Sequence, residues 1–315
     1  MTPHTIPGLG IPGATLAIVR TSIPVAVLGV FAALATPAQA QRMPFARSID
    51  TLALPLLDVE TERGRIEVIA GEPGRVAIEG DVTVRIGLDV PADAVAIAKA
   101  VAEHPPIAQE GITIRLRPPS DDAARRAVTV SYRVTVPRGT RVVARSGSGA
   151  TSIGGVSGEV SVTTGSAAID LRDLGSDVKA ASGSGAITMD GVRGSVDVET
   201  RSSAVTLRGL RGGLTGRSGS GRILAAGTPA SAWRVSTSSS AIEVRLDPNA
   251  RATLRASSGS GSVRVQGDGF TGTRARALVA GAIGGGGPDV QLESRSGSIR
   301  VTLDAGAAAP PAAAR

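Results

Sequence analysis

The stretch Gly183-Ser184-Gly185-Ala186-Ile187-Thr188-Met189-Asp190-Gly191-Val192-Arg193-Gly194-Ser195-Val196-Asp197-Val198-Glu199-Thr200 decides the fold. It opens with a turn of small residues and runs on as a short strand of alternating apolar and polar residues. It then bends at a glycine corner and ends as a second alternating strand. Period-2 alternation bounded by glycine and serine marks half-buried β-strands. Working outward, the unit recurs. The first inward position after each small turn falls at Thr151, Ile169, Ile187, Val205, Ile223, Ile242, Val263 and Ile299, at intervals of 18, 18, 18, 18, 19, 21 and 36. The last interval is two units, which places one degenerate unit between Gln266 and Val290. Two residues on, the column reads Ile153, Leu171, Met189, Leu207, Ala225, Val244, Val265 and Val301. The second strand contributes Val160 and Val162, Val178 and Ala180, Val196 and Val198, Trp233 and Val235, and Ala252 and Leu254.

An 18-residue unit cannot bury its apolar face alone, but stacked on its neighbours it can. The expectation is an all-β protein: a β-solenoid of stacked two-strand units over residues 140–303, with an irregular unit at 267–289. A second period runs through the turns. The position before last in each turn reads Gly149, Ala167, Gly185, Ser203, Gly221, Ser240, Gly261, then the degenerate unit, then Gly297, so glycine alternates with alanine or serine. Gly149, Gly185, Gly221, Gly261 and Gly297 are therefore read as structural turn positions. Stacked strands place equivalent residues over one another about 4.8 Å apart. Like over like then points to a 36-residue turn built of two 18-residue halves. The competing reading is one 18-residue unit per turn, which makes a body nearly twice as long.

Ahead of the repeats, Leu56–Thr61, Arg65–Ala70, Val76–Gly80, Val82–Ile86, Ile112–Arg117 and Val128–Val136 alternate as strands do. One short helix is expected within 91–104: Val95, Ala98, Val101 and Ala102 make an apolar stripe, Asp93 suits its start, and Pro105-Pro106 stops it. His104 at its end suits the helix dipole and has no partner for metal or triad chemistry. Residues 118–126 read as a polar loop in which Asp121 and Asp122 are solvated charges. Residues 41–55 read as a weakly ordered leader, and 56–139 as an N-terminal β region that caps the solenoid. Residues 1–40 read as a secretory signal peptide: a charge at Arg20, a 14-residue apolar core and the small-x-small site Ala38-Gln39-Ala40. Residues 304–315 read as a disordered Ala/Pro tail.

Composition limits the chemistry. Among 315 residues there is no cysteine, which excludes disulfides and thiolate metal sites, and aromatic residues make up 2%. The formal charge of +7 comes almost entirely from singly scattered arginines, so nucleic acid is not an expected partner. Gly267-Asp-Gly269-Phe-Thr-Gly272 matches G-x-G-x-x-G but lacks a surrounding βαβ unit and reads as a loop. No phosphate loop, nucleophile elbow or calcium repeat is present, and neither a cofactor nor a metal is expected. A polysaccharide-active β-helix enzyme is the enzymatic alternative. Asp170, Asp173, Asp190 and Asp197 are its exposed acids, yet they stand at different places in their units and should not converge.

One ordered pattern spans most of the chain. Arg63-Gly64-Arg65-Ile66-Glu67-Val68 comes first, then a short helix, Val134-Thr-Val-Pro137 and the Ser-Gly-Ser-Gly units. Ile283-Gly-Gly-Gly-Gly-Pro-Asp-Val290 and Ser296-Gly-Ser-Ile-Arg-Val301 close it. Over about Leu56–Leu303 it resembles the bacterial putative-adhesin family of β-strand-repeat domains of unknown function, kin to auto-transporter adhesin head domains. The resemblance implies an exported β-solenoid with an adhesive or envelope role and brings no catalytic residues. The expected activity is thus non-enzymatic binding of an envelope or surface component, protein or glycan, in the periplasm, at the cell surface or outside the cell. The alternatives are the β-helix enzyme and a structural or envelope-stress sensing module.

Overall fold

The structure is a computed structural model and describes residues 41–51, 54–87 and 89–303. The segments expected as signal peptide and tail lie outside the described residues. The N-terminal part contains β1 (Arg42–Asp50), β2 (Leu56–Thr61), β3 (Ile66–Gly71), β4 (Arg75–Val84), α1 (Ala94–Glu103), β5 (Ile107–Glu110), β6 (Thr113–Leu116), α2 (Asp122–Ala127) and β7 (Val128–Pro137). The coils follow as β8 (Arg141–Ser146), β9 (Thr151–Gly154), β10 (Val160–Thr164), β11 (Ile169–Leu174), β12 (Val178–Ser182), β13 (Ile187–Val192), β14 (Val196–Thr200), β15 (Val205–Leu210), β16 (Leu214–Ser218), β17 (Ile223–Gly227), β18 (Trp233–Thr237) and β19 (Ile242–Leu246). The chain ends with β20 (Ala252–Ser258), β21 (Val263–Gln266), β22 (Phe270–Arg274), β23 (Leu278–Ile283), β24 (Asp289–Ser294) and β25 (Ile299–Leu303).

These strands form two sheets. The first runs β1-β4-β7-β3-β9-β11-β13-β15-β17-β19-β25-β21, and the second β22-β23-β20-β24-β18-β16-β14-β12-β10-β8-β2-β6-β5. Every turn gives one strand to each sheet, and the inward residues of both fill one continuous core. Twelve strands at the usual spacing make a body about 50 Å long.

The register settles the length of a turn. Ile169 faces Ile187, and Ile187 faces Val205, in parallel neighbouring strands. Eighteen residues advance the chain by one rung, so the 36-residue turn is corrected: Gly183 to Thr200 is a complete turn. The Gly/Ser alternation has another cause. From β2 to β20, each strand of the second sheet ends on a buried hydroxyl, and in stacking order these read Thr61, Ser146, Thr164, Ser182, Thr200, Ser218, Thr237, Ser294 and Ser258. Where the residue is serine, its oxygen accepts the N–H of the glycine three positions on, at 2.9 Å from Gly149 and 2.8 Å from Gly185 and Gly221. Where it is threonine, the next corner is looser: Ser203 and Ser240 donate to Thr200 and Thr237 at 3.2 and 3.3 Å. Tight and loose corners nest in alternation from Ser146 to Ser294, and two tight corners, Gly297 and Gly261, stack at the end. A Cβ on Gly185 would lie 1.8 Å from the carbonyl oxygen of Ala167 one turn below. The second period is a two-rung alternation within an 18-residue coil.

Both ends of the solenoid are threaded out of order. The rung made by β2 and β3 lies between the later β6/β7 and β8/β9 rungs. At the other end β24 and β25 slot between β18/β19 and β20/β21. The loop Asp247-Pro248-Asn249-Ala250 carries the chain past that vacant level before the last strands return to occupy it. The degenerate unit is in fact the antiparallel hairpin of β22 and β23, which extends the second sheet beyond β20. In the same region Ala252 and Leu254 both face inward, but the register is two residues on, with Leu254 facing Val290 and Ala256 facing Leu292.

Three N-terminal expectations also change. The weakly ordered leader is strand β1, antiparallel to β4, with Phe45 buried over Gly80. Its single buried anchor left too weak an alternation to see. The two strands expected over 76–86 are one, because that glycine continues the strand to admit the Phe45 ring. The polar loop contains α2, started by Asp121, whose carboxylate accepts the Ala124 N–H at 2.8 Å. Helix α1 forms where expected, but it buries Ala94 and Ala98 and leaves Val95 48% exposed.

One core position is chemically mismatched. Thr151 sits in register between Ile66 and Ile169, is 2% exposed, and its hydroxyl has no hydrogen-bond partner. Thr151→Val keeps the shape and removes the unpaired group. It should raise stability by about 1 kcal/mol in chemical denaturation; a loss would mean that the hydroxyl is satisfied in solution.

Candidate interaction surfaces

Because alternate side chains point outward, each sheet presents columns of outward residues, half-buried or exposed, one per turn. On the first sheet one column includes Asp170, Thr188, Thr206, Leu224, Glu243, Arg300 and Arg264 in that order. On the second a column includes Lys179, Asp197, Thr215, Arg234, Gln291 and Arg255. Opposite charges meet at several points: Arg172 with Asp170 at 2.6 Å, Arg217 with Asp197 at 3.5 Å, and Arg245 with Glu243 at 2.8 Å. Exposed pairs of this kind contribute about 0–1 kcal/mol each.

A denser network stands at the N-terminal end of the second sheet. Asp58 on β2 is held by Arg117 from the β6 side and by Arg145 on β8 at 2.8 Å, while Arg117 also donates to the Asp58 carbonyl at 3.0 Å. The three side chains join the out-of-order rung to both of its neighbours, and no sequence spacing announces them. Partial burial opposes ionisation of Asp58, but the hydrogen bonds and charges of Arg117 and Arg145 outweigh it and hold its carboxyl below the ordinary 3.8. A lowered folded pKa contributes stability at pH above 3.8 that disappears as pH falls through the folded value. Asp58→Asn should therefore lower Tm at pH 7 and converge with the parent toward pH 2; a gap that is the same at both pH values contradicts this. Beside the network, the Tyr132 hydroxyl donates to the Arg117 carbonyl at 3.2 Å, and burial pushes its phenol pKa up.

The residues singled out from the sequence fall as follows. Asp170 and Asp190 stand on the outer face of the first sheet, with Asp190 in register with Arg172 and Arg208. Asp197 is on the second sheet, and Asp173 occupies a left-handed corner at φ 52°. That corner is otherwise glycine, at Gly155, Gly191 and Gly209. Three of the four acids thus belong to the first sheet, Asp170 and Asp173 on β11 and Asp190 on the neighbouring β13, and Asp197 stands on the second. Gly149, Gly185, Gly221, Gly261 and Gly297 lie at turn corners against the backbone of the adjacent turn. Gly267, Gly269 and Gly272, all with positive φ, lead from β21 into the hairpin. His104 ends α1 through a backbone bond to Ala100. Asp122 pairs with Arg125. Among the described residues no group of three or more His, Cys, Asp or Glu is placed to hold a metal. No described helix is long and apolar enough to cross a membrane.

This architecture defines a two-sheet, parallel-coil β-solenoid whose outward columns are its presented surface. The chain belongs to the Toastrack DUF4097 family, whose model matches residues 124–302. The fold and the family are those the repeats point to. Two solved structures match the chain. A putative cell adhesion protein from Clostridium sporogenes is 9% identical, with 84% of this chain and 100% of that chain covered and a TM-score of 0.32. A putative adhesin from Bacteroides fragilis is 11% identical, with 83% and 97% covered and a TM-score of 0.37. No curated protein matches the chain.

Proposed function

We propose that the protein is an exported, non-enzymatic adhesin or cell-envelope interaction module. The observation that carries this reading is the regular outer face: serine, threonine and charged residues stand in register along two long sheets, while the core takes the apolar side chains. Such a surface offers many repeated weak contacts, which suits binding to an extended or repetitive partner by multivalency. The polysaccharide-cleaving alternative needs two free carboxylates flanking one bond, whereas Asp170 is paired with Arg172 and Asp197 with Arg217. The test is retention of envelope fractions and purified glycans from the host on immobilised protein. Retention of a defined component supports the reading; binding to none of them overturns it.

A further inference from the structure

Charge is unevenly divided along the solenoid axis. Residues 41–200 carry 18 basic and 21 acidic side chains, a formal −3. Residues 201–303 carry 14 arginines and five carboxylates, a formal +9. The two parts also differ in pairing. In the first part nine of the 18 basic side chains form ion pairs among the described residues, as at Arg117 and Asp58 or Arg133 and Glu67. Of the 14 arginines in the second part, Arg217 and Arg245 form ion pairs within 4 Å among the described residues. Five turns of the solenoid thus present positive charge that the chain itself does not neutralise.

The densest point is the C-terminal end of the first sheet. Arg300 and Arg264 are register partners on adjacent turns, both exposed and both in an outward column. Their backbones are therefore about 4.8 Å apart. The Arg276 carbonyl accepts the Val263 N–H at 2.8 Å, as Ser262 accepts that of Ile299 at 2.9 Å. Arg276 thus continues the ladder one level beyond the last coil, and it is exposed. None of the three forms an ion pair among the described residues. Glu243, one turn from Arg300, is held by Arg245. Asp268 is the other acid, on the loop after β21.

We propose that this arginine surface binds an anionic polysaccharide, one that carries a carboxylate on successive sugars. The proposal rests on the envelope-binding reading and gives its partner a chemistry. Guanidinium forks bind carboxylates in a bidentate manner and keep their charge at every physiological pH. Arginines repeated from turn to turn match charges repeated along a polymer. The described aromatic residues are not arranged for a neutral sugar or a nucleobase to stack: Trp233 is buried, and the Phe270 ring lies under Arg274 at 4.6 Å.

Polygalacturonate is the probe, with dextran as the neutral polymer, duplex DNA as the competing polyanion, and the whole purified protein as receptor. The expected result is salt-sensitive binding of polygalacturonate, weaker binding of dextran and DNA, and at least a tenfold loss of affinity in Arg264→Gln/Arg276→Gln/Arg300→Gln. Lysine at the same three positions should restore part of the affinity, which separates charge from damage to the fold. Arg42→Gln/Arg65→Gln/Arg141→Gln in the other half should change it less than twofold. Equal losses in both triple variants, or DNA bound as tightly as polygalacturonate, would overturn the assignment. Retention of host envelope fractions without any polygalacturonate binding would also overturn it and leave the broader reading standing; failure of both would remove both.

Discussion

Gly185→Ala should destabilise the protein by about 3 kcal/mol or more, because the new methyl has no place to go. Its carbon would lie 1.8 Å from the carbonyl oxygen of Ala167 and 2.3 Å from that carbonyl carbon. Both are backbone atoms of the corner between β10 and β11, two strands each held in register on both sides, so neither can swing away as a side chain could. The turn must open, which also lengthens the 2.8 Å bond from the Gly185 N–H to Ser182. Overpacking against rigid backbone ranks among the costly single substitutions. Gly221, 1.7 Å from the Ser203 oxygen by the same construction, should behave alike. Gly154→Ala is the control: its Cβ would approach nothing closer than 3.9 Å, so it should change stability by no more than about 0.5 kcal/mol. Guanidinium melts of the three variants check this, and equal stability of Gly185→Ala and the parent would refute the packing described at these corners.

Trp233→Ala carries the second large effect, a loss of about 3–5 kcal/mol. The indole is fully buried and stacks in register between Leu214 and Val290, so it joins the regular coils to the out-of-order last turn. Its Nε1–H donates to the Gly212 carbonyl at 2.9 Å. Removing the ring leaves a cavity, strips that carbonyl of its partner and loosens the level at which β24 is inserted. Trp233→Phe fills part of the space and loses the hydrogen bond, and should fall between parent and alanine. Denaturation followed by circular dichroism, since the sole tryptophan is gone, checks the order; alanine and phenylalanine variants of equal stability would contradict it.

The coils were legible because their information is local. Ile169, Ile187 and Val205 recur every 18 residues, and a strand with one wet face must place them inward. The length of a turn was not legible, because the Gly/Ser alternation encodes contact between successive corners, and sequence alone does not say which corners touch. The threaded ends were hidden for a similar reason. Val290 and Ile299 fit the inward columns at any level, so hydrophobic pattern cannot tell that their strands return beneath β20 and β21. Strand β1 depends on Phe45 meeting Gly80, a pairing 35 positions apart that no local window sees. The candidate surface was half legible. Scattered arginines are visible in the composition, but the stacking of Arg264 on Arg300 requires the register.

Every column on which the functional reading depends exists only if each 18-residue unit is one full turn. The chain has no cysteine, so paired substitutions report this directly. Thr188 and Thr206 are outward register partners on adjacent turns, whereas Leu224 lies one turn beyond Thr206. Adjacent turns bring Cα atoms to about 4.8 Å, within disulfide range, and two turns separate them by about 9.6 Å, outside it. Mild oxidation of Thr188→Cys/Thr206→Cys should therefore give an intramolecular disulfide, and Thr188→Cys/Leu224→Cys should stay reduced. The reverse outcome, a bond between 188 and 224 with none between 188 and 206, would establish a 36-residue turn and contradict the account.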